Sequence, residues 1–130
     1  MAPARIPALA LAADLVAVVV FAAIGRVSHA EADSLLGLLG TAAPFVVGAG
    51  AAWVSPWVRA APASMRAGGI VVAGAVVVGL LLRLGFTGSL PATFALVTAV
   101  SLAVLMLGWR TLAMLVARLG VPGERRTPGG

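Results

Sequence analysis

Four long apolar stretches alternate along this chain with short gaps of breakers and charges. The stretches cover residues 6–24, 35–54, 68–86 and 91–110, and the last stays apolar to about 119. At ~1.5 Å per helical residue, each is long enough to cross a hydrocarbon core ~30 Å thick. The gaps at 25–34 and 55–67 carry the charges and breakers. The third gap, Thr87-Gly88-Ser89, is so short that the third and fourth helices must form a tight antiparallel hairpin. The pattern predicts an all-α fold, an integral membrane four-helix bundle. One domain covers 1–120, and a polar Gly/Pro/Arg tail at 121–130 is expected to be disordered.

Small residues at four-residue spacing predict which faces meet, because lipid supplies no hydrophobic drive for helix association. The second span offers Gly40, Pro44, Gly48 and Ala52, and the third Gly69, Ala73, Ala75 and Gly79. The fourth offers Ala95, Ala99 and Ala103, with Ser101 close to the same face. In the first span Ala10, Ala13 and Ala17 surround Asp14, so this acid is expected to face inward. Pro44 removes a backbone donor in mid-span and predicts a kink. Such a kink either frees carbonyls to line a polar cavity or is shaped by packing alone.

Composition agrees with a membrane protein. The chain has 130 residues, is 62% hydrophobic and 10% charged, and has a mean hydropathy of +1.12; soluble domains run near 25% charged. There is no cysteine, which excludes disulfides, thiol catalysis and thiolate metal sites. All nine basic residues are arginine, and tyrosine, asparagine and glutamine are also absent, a bias typical of a GC-rich bacterial genome. The net charge of +5 does not point to nucleic acid, because the arginines are scattered at helix ends without a clustered patch or an aromatic platform.

Those arginines instead predict orientation. One side holds Arg5, Arg59, Arg66, Arg118, Arg125 and Arg126, with Arg110 at its edge. The other holds Arg26 and Arg83 beside Glu31 and Asp33. The positive-inside rule then puts both termini in the cytoplasm of a bacterial inner membrane. Trp53, Trp57 and Trp109 fall near the cytoplasmic ends of their helices, as an interfacial aromatic belt should. A cleaved signal peptide over 1–30, ending at Ser28-His29-Ala30, is disfavoured by the length of its apolar region and by Asp14.

Asp14 is the one acid inside a span. A central Asp costs roughly 2.5–3.5 kcal/mol on insertion scales. Nine strongly apolar neighbours return roughly 0.3–0.6 kcal/mol each, or ~4 together, so the span is tolerated. By depth, an ion pair with Arg110 is the simplest way to satisfy the acid. The alternatives are a protonated Asp14, or bonds to Thr41, Thr93, Thr98 or Ser101. On the opposite side Arg26 and Arg83, with His29, Glu31 and Asp33, form a second candidate cluster. It reads either as an outward-facing anion site or as arginines that snorkel and pair with loop acids. His29-x-Glu31-x-Asp33 is a poor metal set, and no cofactor is expected. No P-loop, catalytic triad or metalloprotease motif is present, so an enzyme is not expected.

The acid of the first span, Phe21-Ala22-Ala23-Ile24-Gly25-Arg26 with Ser28-His29, Pro44-Phe45, Gly79, Arg83 and Gly108-Trp109-Arg110 together resemble a small bacterial and archaeal membrane family. This family is domain of unknown function 3054. The resemblance covers about 14–119 and implies a four-helix membrane unit in which these positions matter together; it brings no known activity. Two functions follow. One is a small-solute or ion transport component with a polar interior built on Asp14, Arg110, Arg83 and Arg26, working as a homo-oligomer or with another membrane subunit. The other is a structural or accessory subunit whose intramembrane charges only lock helices together.

Overall fold

The computed structural model describes residues 5–28 and 35–120, which form helices joined by short turns, without strand. In chain order the elements are α1 (Arg5–Ser28), α2 (Leu35–Trp53), α3 (Pro56–Ala60), α4 (Met65–Thr87) and α5 (Ala92–Gly120). All but α3 are long and apolar enough to span a membrane. The predicted tail at 121–130 and the loop residues His29, Glu31 and Asp33 lie outside the described residues.

The four-span bundle therefore stands, with two local differences. Helix α4 starts at Met65, three residues before the apolar run, because Ser64 caps it. The Ser64 hydroxyl accepts the Ala67 N–H at 3.0 Å, and its carbonyl accepts the Gly68 N–H at 3.0 Å. The second difference is α3, a single turn within a gap expected to be loop. Ser55 caps it by accepting the Trp57 N–H at 3.1 Å, and Pro56 begins it with a preset φ. Val58 is buried, so this turn folds back onto the bundle.

Helix α1 packs on α2 and α5, and α4 packs on the same two helices, so the four spans form a closed ring. Its interior is made of small side chains. Ala17, Ala22, Ala49, Ala67 and Ala75 are buried, while Leu9, Val16, Ile24, Leu81 and Val104 face outward. A bundle folding in water would be expected to reverse this. In lipid, helices associate through close packing, and small residues let backbones approach.

The α2–α4 pair is the most extensive contact and the tightest. A Cβ on Gly48 would lie 2.6 Å from the Gly74 carbonyl oxygen, and one on Gly74 would lie 2.8 Å from Ala52 Cβ. Pro44, Gly48, Ala52, Ala75 and Gly79 all face inward as predicted. Gly40, Gly69 and Ala73 do not: they face outward, and the inward row of α4 begins at Gly68 instead. Helix α2 continues through Pro44, which is buried. The hairpin closes at Gly88, whose φ of 76° and ψ of 7° need a residue free to turn left-handed. Its N–H donates to the Leu84 carbonyl at 2.7 Å.

Candidate functional site

Two polar centres sit at opposite ends of the bundle. At the first, Asp14 of α1 and Arg110 of α5 are both fully buried. Their contact is a two-pronged fork: Arg110 Nη1 donates to Asp14 Oδ1 at 2.7 Å and Nη2 to Oδ2 at 2.8 Å. Planar guanidinium matches carboxylate in this way, and the charge-assisted bonds are the strong kind.

Two indoles complete the carboxylate. Trp109 Nε1 donates to Oδ1 and Trp53 Nε1 to Oδ2, each at 2.9 Å. Every bond to Asp14 is thus donated to it, which suits a carboxylate and leaves no acceptor for an acid proton. Arg110 is held in turn. Its Nε donates to the Pro62 carbonyl at 3.0 Å and its Nη1 to the Met106 carbonyl at 3.2 Å. Its guanidinium carbon also lies 4.4 Å from the Trp109 ring centroid. One carboxylate therefore joins α1, the end of α2 and α5, and its arginine ties in the turn between α3 and α4. Among the described residues no buried side-chain nitrogen or oxygen lacks a partner.

Local sequence explains why these groups converge. Trp53 closes α2, and the capped turn over α3 brings the Pro62 carbonyl back over the bundle. Gly68 makes room for the arginine, since a Cβ there would meet Arg110 Cδ at 2.6 Å and Leu107 Cδ2 at 2.7 Å.

The second centre is about 22 Å away, judged by the 15-residue rise along α4 from Gly68 to Arg83. A half-open cavity of about 430 Å³ lies there. Phe21, Ala22, Phe94 and Val97 form its apolar wall, and Thr41, Thr87, Ser89, Thr93 and Arg83 its polar side. The Arg83 guanidinium carbon lies over the Phe94 ring, 4.4 Å from its centroid. Among the described residues that guanidinium meets no carboxylate and no other acceptor. Behind the cavity Phe45 is fully buried, edge-on to Phe21 at 5.3 Å and 6.4 Å from Phe94. Its ring fills the space left by Gly79. Between Phe45 and the clamp lie Val18, Ala49, Val71, Leu102 and Met106, all buried and apolar. Thr98, also buried, spends its hydroxyl on the Phe94 carbonyl at 2.7 Å.

Of the sequence-predicted positions, Asp14 and Arg110 come together, and Arg83 stands apart at the other end. Thr98 makes no contact with Asp14. Pro44 is buried and is not itself among the residues that line the cavity, whereas Thr41, one turn earlier, is. Arg26 lies in the last turn of α1, and His29 is outside the described residues. Trp53 and Trp109, which the sequence reads as part of an interfacial belt, also bond the acid, and of the three tryptophans Trp57 alone is largely exposed. The available signal was that an indole N–H within a span needs an acceptor, and Asp14 is the one acid at that depth.

The chain belongs to the family described as a protein of unknown function (DUF3054), whose family model matches residues 11–113. That stretch contains both polar centres. No curated protein and no solved structure matches the chain.

Proposed function

We propose that this four-span protein is a structural or accessory unit of a bacterial inner membrane, with both termini cytoplasmic, in which Asp14 and Arg110 form a permanent lock. The observation that carries this reading is the closure of the clamp: all four bonds to the fully buried carboxylate come from protein donors. A proton or ion relay needs a group that exchanges partners with water or cargo. The apolar barrier of Phe45 and its neighbours separates Asp14 from the Arg83 cavity, which argues against a pathway joining the two through one copy of the bundle. Outward Gly40 on α2, with Gly69 and Ala73 on α4, leaves low-profile faces where a partner helix or a second copy can approach closely.

Reconstitution of Asp14→Asn, Arg110→Gln and the double variant tests the lock. Each single change is expected to weaken the fold, the double change to recover part of the loss, and no form to carry protons across liposomes. Wild-type proton flux that vanishes in a folded single variant would establish a relay and overturn the reading.

A further inference from the structure

The Arg83 cavity has no role in a structural lock, and its chemistry is that of a binding site. Its volume of about 430 Å³ falls in the range of small-ligand pockets, roughly 300–1,000 Å³. Among the described residues, its one charged lining residue is a cation. The Phe94 ring covers one side of the guanidinium, whose carbon lies 4.4 Å from the ring centroid, and among the described residues no acceptor takes its N–H groups. A guanidinium fork held this way selects oxyanions, phosphate and carboxylate alike.

Position decides between a soluble anion and a lipid. Arg83 lies four residues before the end of α4, about 6 Å below it along the axis, near the level of lipid headgroups if α4 stands across the bilayer. Val97, in the apolar part of the cavity lining, is exposed on the outside of the bundle. From there Val100 and Val104, also exposed, continue an apolar strip down the lipid-facing surface of α5. The polar part thus sits where a headgroup phosphate sits, and the apolar part runs the way an acyl chain runs. A small hydrophilic anion would leave Phe21, Phe94 and Val97 without a partner.

We propose that this cavity binds one anionic phospholipid, with the phosphate on the Arg83 edge and an acyl chain leaving past Val97. The site is independent of the Asp14 clamp.

Native mass spectrometry of the full-length protein, released from micelles after incubation with phosphatidylglycerol or phosphatidylcholine, tests this. The wild type is expected to keep one phosphatidylglycerol about tenfold better than phosphatidylcholine. Arg83→Gln should erase that preference, and Arg83→Lys, which keeps charge but loses the fork, should retain part of it. Arg59→Gln, an exposed arginine at the opposite end, should leave it unchanged. Should Arg83→Gln fail to fold, Val97→Trp puts a bulky ring into the apolar lining at an exposed position and is expected to lower retention with the cation intact.

Equal retention in wild type and Arg83→Gln would overturn the site, as would an equal loss in Arg59→Gln. Displacement of the lipid by millimolar inorganic phosphate would identify a soluble oxyanion as the occupant and overturn the lipid assignment. A several-fold gain of lipid in Glu31→Gln/Asp33→Asn would mean that a loop acid holds the fork, and would equally overturn it.

Discussion

A carboxylate inside a membrane is tolerable only when its partners stay put, and Asp14 has four donors aimed at two oxygens. Removing one partner of such a pair strands the other. Arg110→Gln should therefore cost about 3–5 kcal/mol in a denaturant titration of the micelle-bound protein. Asp14→Asn should cost a similar amount, because the arginine is buried with it. The double variant should be less destabilised than the sum of the singles, which a double-mutant cycle measures directly. The indoles contribute less. Trp53→Phe keeps the ring and loses one donor to a charged acceptor, an expected loss of about 1–3 kcal/mol. Trp109→Phe should lose as much and also alter the surface on which Arg110 stacks. A cycle between Trp53 and Arg110 that shows no coupling would contradict the shared network.

At the scale of elements, glycines divide into those another element needs and those it does not. Gly68→Ala puts a methyl 2.6 Å from Arg110 Cδ, so it should displace the arginine and mimic much of Arg110→Gln without removing a charge. Gly48→Leu should separate α2 from α4, where carbonyl and Cα atoms stand within 3 Å of a new Cβ. Gly69→Ala meets nothing within 4 Å and should be neutral or stabilising by about 1 kcal/mol through helix propensity. Thermal melts of the three variants in one detergent check the order. The same elements show what the sequence made legible. Span number and type followed from apolar length, because backbone polar groups in lipid must be satisfied within the helix. Asp14 could be paired with Arg110 because helix rise converts residue number into depth. Rotation about the axis was harder: the row at Gly69 and Ala73 is as small as the row that packs, and small residues mark possible contact without choosing a neighbour. Helix α3 is too short for periodicity to reveal, and only its Ser-Pro start hinted at it. The cavity depends on how four helices diverge above Phe45, which no local pattern records.

Across the whole molecule, the arginines now separate into two kinds. Arg110, at the edge of the predicted cytoplasmic set, is buried against Asp14 within the bundle and does not stand in an exposed connection. Arg59 and Arg66 are exposed, and both lie at the clamp end with Arg118 of the last α5 turn; Arg83 lies at the other. The bias toward one side therefore survives the loss of Arg110 and rests on exposed residues in short connections, where the positive-inside rule has its force. A green fluorescent protein fused after Gly130 should fluoresce, and alkaline phosphatase at the same position should stay inactive. Because the bias resides in several residues, Arg110→Gln should leave both readouts unchanged even as it weakens the fold. Converting Arg59, Arg66 and Arg118 together to Gln should instead yield a mixed population in which some phosphatase is active. An active phosphatase on the unaltered chain would invert the topology, placing the clamp toward the periplasm and the Arg83 cavity toward the inner leaflet.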